Sequence, residues 1–97
     1  MSDVITAAVE ALGKQLSGGF DGVAKFVIPG EGAIMIDATG VRAGEEGEEA
    51  DVTLTAGAET FRGILEGETN PTAAFMTGKL KVDGDMGLAM KLGAALG

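Results

Sequence analysis

The chain has no cysteine and no histidine. Disulfides are therefore impossible, which fits a reducing cytoplasm. Zinc and haem lose their usual ligands. A nucleophile activated by a neighbouring imidazole cannot be built, and neither can a thiolate. Tryptophan and tyrosine are also missing, so four phenylalanines supply all the aromatic bulk. Bases are few: seven Lys and Arg face 15 Asp and Glu, for a net charge of −8. Nucleic acid needs a basic face, so it is excluded as a partner. An anionic membrane would repel such a surface on average. No apolar run approaches the roughly 18 residues needed to cross a bilayer. The opening MSDVITAAVE lacks the basic region and apolar stretch of a signal peptide. A cytoplasmic protein without stable membrane insertion is expected.

What is present is glycine, at 17 of 97 residues, and a regular alternation of short apolar patterns. A chain of this length makes one domain, residues 1–97. It buries roughly 65% of its unfolded surface. Ser2 is placed to cap a first helix, with Asp3 in its favourable first turn. Ile5, Val9, Leu12 and Leu16 form one helical stripe, and Gly18-Gly19 stops it. The period then changes. Ala24, Phe26 and Ile28 alternate with Lys25 and Val27, Pro29 to Gly32 is turn chemistry, and Ile34 and Ile36 flank Met35. This predicts a hairpin, extended after Thr39-Gly40 by a third strand at Val41 to Ala43.

Glu45 to Asp51 reads EEGEEAD, too densely charged to pack, and predicts a solvated loop. It lacks the alternating ligand spacing of a calcium-binding EF-hand loop. Ala50 to Ala56 alternates apolar and polar, the mark of a sheet covered on one face. A helix follows in which Phe61, Ile64 and Leu65 share a face. It has no Ser or Asp cap, so Gly57 or Thr55 must serve. Asn70-Pro71 opens a short helix that Gly78 closes. Lys79 to Asp83 alternates as a last strand, and Asp83-Gly84-Asp85 reads as a turn and cap before the final helix. The fold class is α+β: a strand layer with one apolar face, covered by helices.

That final helix poses the functional question. From Met86 to Leu96 it carries a single charge, Lys91. Met86 and Met90 form one stripe, and Leu88, Leu92 and Leu96 another, more than about 90° apart around the axis. One stripe suffices to cover a sheet, so the other needs a second apolar partner. That partner is another helix of the domain, a second subunit or an apolar ligand. Methionine, flexible and polarizable, suits a surface that accepts varied shapes.

Reactive groups are not evident. Ser2 and Ser17 sit at helix ends with structural uses, no GxGxxG follows a strand, and Gly78-Lys79 lacks the upstream glycine of a phosphate loop. Neither catalysis nor a cofactor or metal is expected. An acyl carrier is also excluded, because it would be all-helical and would need a serine in an Asp-Ser-Leu context, whereas Ser17 precedes two glycines.

The run NPTAAFMTGKLKVDGDMGLAMKLGAAL, Asn70 to Leu96, closely resembles the carboxy-terminal signature of sterol carrier protein 2 domains. The matching features are the NP-opened helix with its Phe-Met pair, the GK-L-K strand and the G-D-M-G-L-A-M-K-L turn and helix. Upstream, ADVTLT and AETFRGILEGE resemble the family's central strand and the helix after it. The resemblance implies a five-stranded, mostly antiparallel sheet with helices on one face and an apolar tunnel between the layers. It also implies non-enzymatic binding and transfer of lipids. By position, Phe61, Ile64, Leu65, Phe75, Met76, Leu80, Val82, Met86 and Met90 would line the tunnel, with Ile34, Ile36 and Leu54 as its floor. Many relatives are basic, and this chain is acidic. Only Lys79, Lys81, Lys91, Arg62 and Arg42 lie where coenzyme A phosphates would need cations. Fatty acid or phospholipid therefore ranks above acyl-CoA and sterol. The competing expectation is an interaction module, whose spare stripe closes a homodimer or docks a lipid-metabolising enzyme. A monomer or weak dimer is expected.

Overall fold

The computed structural model describes residues 3–16 and 18–96. The cap assigned to Ser2, and Ser17, fall outside them. The chain runs α1 (Asp3–Gln15), β1 (Ala24–Ile28), β2 (Gly32–Asp37), β3 (Gly40–Gly44), β4 (Val52–Ala56), α2 (Ala58–Leu65), α3 (Pro71–Met76), β5 (Leu80–Gly84) and α4 (Met86–Leu96). The strands form one sheet in the order β3-β2-β1-β4-β5. Neighbours pair antiparallel except the central β1 and β4, which are parallel with Phe26 opposite Leu54. A parallel pair cannot be joined by a tight turn. The chain between β1 and β4 instead builds β2, β3 and the acidic loop on one side.

Period-two side chains sort the sheet into two faces. Ala24, Phe26, Ile28, Ile34, Ile36, Val52, Leu54, Ala56 and Leu80 join one buried cluster with Ile5, Ala8 and Leu12 of α1, Phe61 and Ile64 of α2, Ala74 of α3 and Leu92 of α4. All four helices therefore contribute to the layer over this face. α1 packs on β2 and β3, while α3 and α4 pack at the other end, on β5 and on β4 with β5. Between them, Phe26 meets Phe61 with ring centroids 4.4 Å apart and planes tilted by 56°. A tilted aromatic pair at this spacing adds about 0.5–1.5 kcal/mol beyond its buried area.

The opposite face is not simply wet. Lys25 is only 9% exposed there, and Met35 is buried. The Lys25 ammonium donates to the backbone carbonyls of Glu46 and Glu48, the latter at 2.8 Å. The loop expected to be merely solvated thus packs through its backbone while its charges point outward. Dense like charge disfavours burial of carboxylates, but carbonyl oxygens are free to wrap a cation. Glu48 is the exception among the side chains: it holds Arg42 at 2.8 Å and accepts the Glu45 N–H at 2.7 Å. The Arg42 hydrogen bond, followed by that from the Glu45 backbone, lowers the Glu48 carboxyl below its ordinary pKa.

Gly84 has φ +109, and a β-carbon there would lie 2.5 Å from the Asp51 carbonyl oxygen. Gly84→Ala is expected to destabilise the domain by about 2–3 kcal/mol, read by urea denaturation. Because the folded Glu48 pKa is lowered, the stabilisation it gives is complete above the ordinary carboxylate range and is lost as pH falls through the lowered value. The Glu45 amide resonance should titrate with a midpoint below that of a free glutamate, and Glu48→Ala should abolish this titration.

Candidate functional site

The site begins with how α3 is anchored. The Asn70 side-chain Oδ1 accepts from the N–H of Thr72 at 2.8 Å and of Ala73 at 3.3 Å. Pro71 occupies the first helical position, where its missing N–H costs nothing. A helix of six residues has little stability of its own. The cap, Ala74 buried in the core and the Lys79 N–H on the Ala74 carbonyl at 2.9 Å hold it over β5. α4 is set by Asp85, whose Oδ1 accepts the Leu88 N–H at 3.2 Å. It is anchored inward by Leu92, which is fully buried.

Between α3, α4 and the β4–β5 end of the sheet lies a cavity of about 630 Å³. Phe26, Leu54, Leu80 and Val82 rise into it from the sheet, and Ile64 from α2. Phe75 and Met76 enter from α3, and Met86, Ala89, Met90, Gly93 and Ala94 from α4. Asn70, Pro71 and Thr72 complete the wall, which carries no charged side chain. The large apolar side chains exposed among the described residues are Phe75 at 42%, Met76 at 79%, Met86 at 46% and Met90 at 73%. All four stand on this one cavity. Exposing large apolar groups singly is ordinary, but gathering them around one opening is not.

The two stripes of α4 therefore separate. Met86 and Met90 face the cavity, Leu92 the core, and Leu88 packs against the core; the Leu96 side chain lies outside the described residues. Of the residues expected to line a tunnel, Leu54, Ile64, Phe75, Met76, Leu80, Val82, Met86 and Met90 stand together on the wall. Ile34, Ile36, Phe61 and Leu65 lie off it. Ile34 and Ile36 are on β2, toward the α1 end, and are fully buried. Phe61 is turned into its pairing with Phe26. Leu65 faces a smaller groove of about 460 Å³ between α1 and α2. The wall also includes residues that an apolar-pattern reading passes over: Ala89, Gly93 and Ala94 on α4, and Asn70 at the start of α3. Their small size is the signal, since a helix face of Ala and Gly leaves room beside it.

Among the described residues, no group of three or more His, Cys, Asp or Glu gathers as a metal site. No helix among them is long and apolar enough to cross a membrane.

A helix-on-sheet domain with an apolar, open cavity between its layers has room for an apolar ligand. The family model of the SCP-2 sterol transfer family matches residues 5–97, and the chain belongs to that family. It is 42% identical over 82 residues to hydroxysteroid dehydrogenase-like protein 2 of Xenopus laevis, covering 78% of this chain and 20% of that protein. The chain thus spans about a fifth of the length of that curated relative. Among solved structures, sterol carrier protein 2 like 2 of Aedes aegypti superposes with a TM-score of 0.77 over 94% of both chains at 23% identity. A palmitated SCP2L2 from the same mosquito superposes at 0.67, with 26% identity, over 99% of this chain and 95% of that one.

Gly93 supplies the test of how the wall is built. A β-carbon on Gly93 would lie 3.7 Å from Pro71 Cβ, an ordinary contact. Gly93→Ala is therefore expected to stabilise the domain by up to about 1 kcal/mol through helix propensity, as measured by urea denaturation.

Proposed function

We propose that this chain binds the hydrocarbon portion of a lipid in the α3–α4 cavity and carries it through water, without catalysing a reaction on it. The observation that carries this reading is the convergence of Phe75, Met76, Met86 and Met90, all exposed, on a single apolar cavity. A volume of about 630 Å³ falls within the range of small-molecule sites, about 300–1,000 Å³. Flexible methionines at the mouth suit chains of differing length. Membership of a sterol transfer family and the palmitated relative support the same reading.

The finer assignment is a long-chain fatty acid or one acyl chain of a phospholipid, ranked above acyl-CoA and sterol. The wall offers no cation for coenzyme A phosphates, and a flexible chain fills an irregular cavity between two thin helices more readily than a rigid ring system does. The shared segment is about a fifth of the first of those relatives, so no dehydrogenase activity is proposed for this chain, and its proposed role is delivery.

Saturated fatty acids of increasing length provide the test. Each buried methylene contributes about 0.8 kcal/mol, so Kd should fall about fourfold per added carbon until the cavity is full. Displacement of a fluorescent lipid reads this directly, with a matching rise in melting temperature by preferential binding to the folded state. A flat series, or no displacement at any length, would overturn the proposal.

A further inference from the structure

The cavity has an open end and a closed one. Phe75, Met76, Met86 and Met90 stand at its mouth, exposed to solvent. Phe26, Leu54 and Ile64, on the same wall, are buried and mark its deep end. Behind them lies a second space. The groove of about 460 Å³ between α1 and α2 reaches this region from the other side, and Phe61 stands on its wall. The Phe61 ring packs on that of Phe26 with 4.4 Å between centroids, and Phe26 stands on the wall of the cavity. Two rings therefore separate the two spaces here. Consecutive residues of α2 divide in the same way, with Ile64 on the cavity and Leu65 on the groove. Ala7, Ala8 and Ala11 supply much of the groove's α1 wall, which leaves room on that side of Phe61. A ring braced by a second ring in a close-packed layer keeps its place, where a flexible methionine would shift.

We infer that the Phe26–Phe61 pair is the end wall of the site and that Phe61 sets how long a chain it takes. A bound hydrocarbon enters at the methionine mouth, runs inward and stops at the pair, short of the α1–α2 groove. The inference rests on the lipid-binding reading above and adds to it a length limit and the cause of that limit. The ligand is a single chain, because the groove that could hold more hydrocarbon is closed off. Carbons beyond the limit stay in water at the mouth and add nothing to affinity. Phe61 is a positioning residue: it acts by bracing the Phe26 ring, which forms the wall itself. With Phe61 shortened, that ring is free to lean into the vacated volume, and the path to the groove opens.

The test reads the position of a break rather than an affinity. Saturated fatty acids of increasing length are titrated against a fluorescent lipid. For wild type, Kd should fall about fourfold per carbon up to a limit and then stay level. Phe61→Leu trims the ring to a branched chain. Phe61→Met puts a flexible chain in its place and serves as the second variant should the first prove too unstable. In either, Kd should keep falling for about two or more carbons past the wild-type limit, a gain of about 16-fold over the acid at that limit. Lost packing alone would weaken all lengths together and leave the limit where it was. Leu65→Ala is the control: it widens the groove from the far side of the pair and should leave the limit unchanged. Urea denaturation confirms that each variant is folded. A limit unmoved in both Phe61 variants, or moved equally by Leu65→Ala, would overturn the inference while leaving lipid binding intact. A flat series or no binding in wild type would overturn both.

Discussion

The tilted contact of Phe26 with Phe61 divides the space between the two layers. On its α1 side the gap is filled: Ile5, Ala8 and Leu12 meet Ile28, Ile34 and Ile36, all buried. On its other side the sheet carries on through β4 and β5 with its apolar face, but the elements above it are a six-residue helix and a helix whose inward positions include Ala89, Gly93 and Ala94. Of the four phenylalanines in the whole chain, two form this pair and Phe75 stands partly exposed at the cavity, so little aromatic bulk is left to fill the far side. Phe26 works on both sides, packing its ring on Phe61 and standing in the cavity wall. The cavity is thus the complement of that contact.

The same division explains how an acidic chain keeps a rigid sheet beneath an open site. The rear of the sheet is tied down by Lys25, which reaches out of β1 to the carbonyls of the 45–50 loop, and by the Arg42–Glu48 pair. A buried ammonium needs several acceptors, since an unmatched one costs several kcal/mol. Backbone carbonyls supply them without bringing further carboxylates together. The loop's remaining acids stay in water, where they keep the surface strongly negative. The rear contacts and the packed α1 end therefore hold the sheet, while the exposed large apolar side chains gather on α3 and α4.

Local chemistry was legible in the sequence. Asn70-Pro71 announced its capped helix, the two-residue alternation picked out the helix-covered face of the sheet but not the burial of Lys25, Val27 and Met35 on the other, and the double stripe of α4 announced a second apolar contact. What was not legible depends on strand order. Alternation marks Ile34, Ile36 and Leu54 alike as inward, but only the order β3-β2-β1-β4-β5 puts the first two toward α1 and the third at the cavity. Phe61 and Ile64 share a helix face, and the encounter with Phe26, from a strand far off in sequence, turns one into a pillar and leaves the other on the wall. The Lys25 clamp escaped for the opposite reason: it is made to backbone atoms, and side-chain patterns carry no record of them. Small residues were underweighted because pattern reading counts what fills space, whereas a site is made where space is left.

The size of the cavity sets a condition on how it can exist. Core cavities left by truncation cost about 24 cal/mol per Å³, so a sealed void of about 630 Å³ would cost about 15 kcal/mol. That is as much as the entire stability of a robust small domain. Such a space survives only if it is open to water or occupied. The exposure of Met76 and Met90 meets the first condition, since both stand at a mouth that solvent reaches. An apolar wall wetted in this way is itself unfavourable, and the simplest relief is an apolar guest. The feature that makes the empty protein tolerable is therefore the one that makes the filled protein more stable, and a scarcity of bulky side chains is the composition such a container requires.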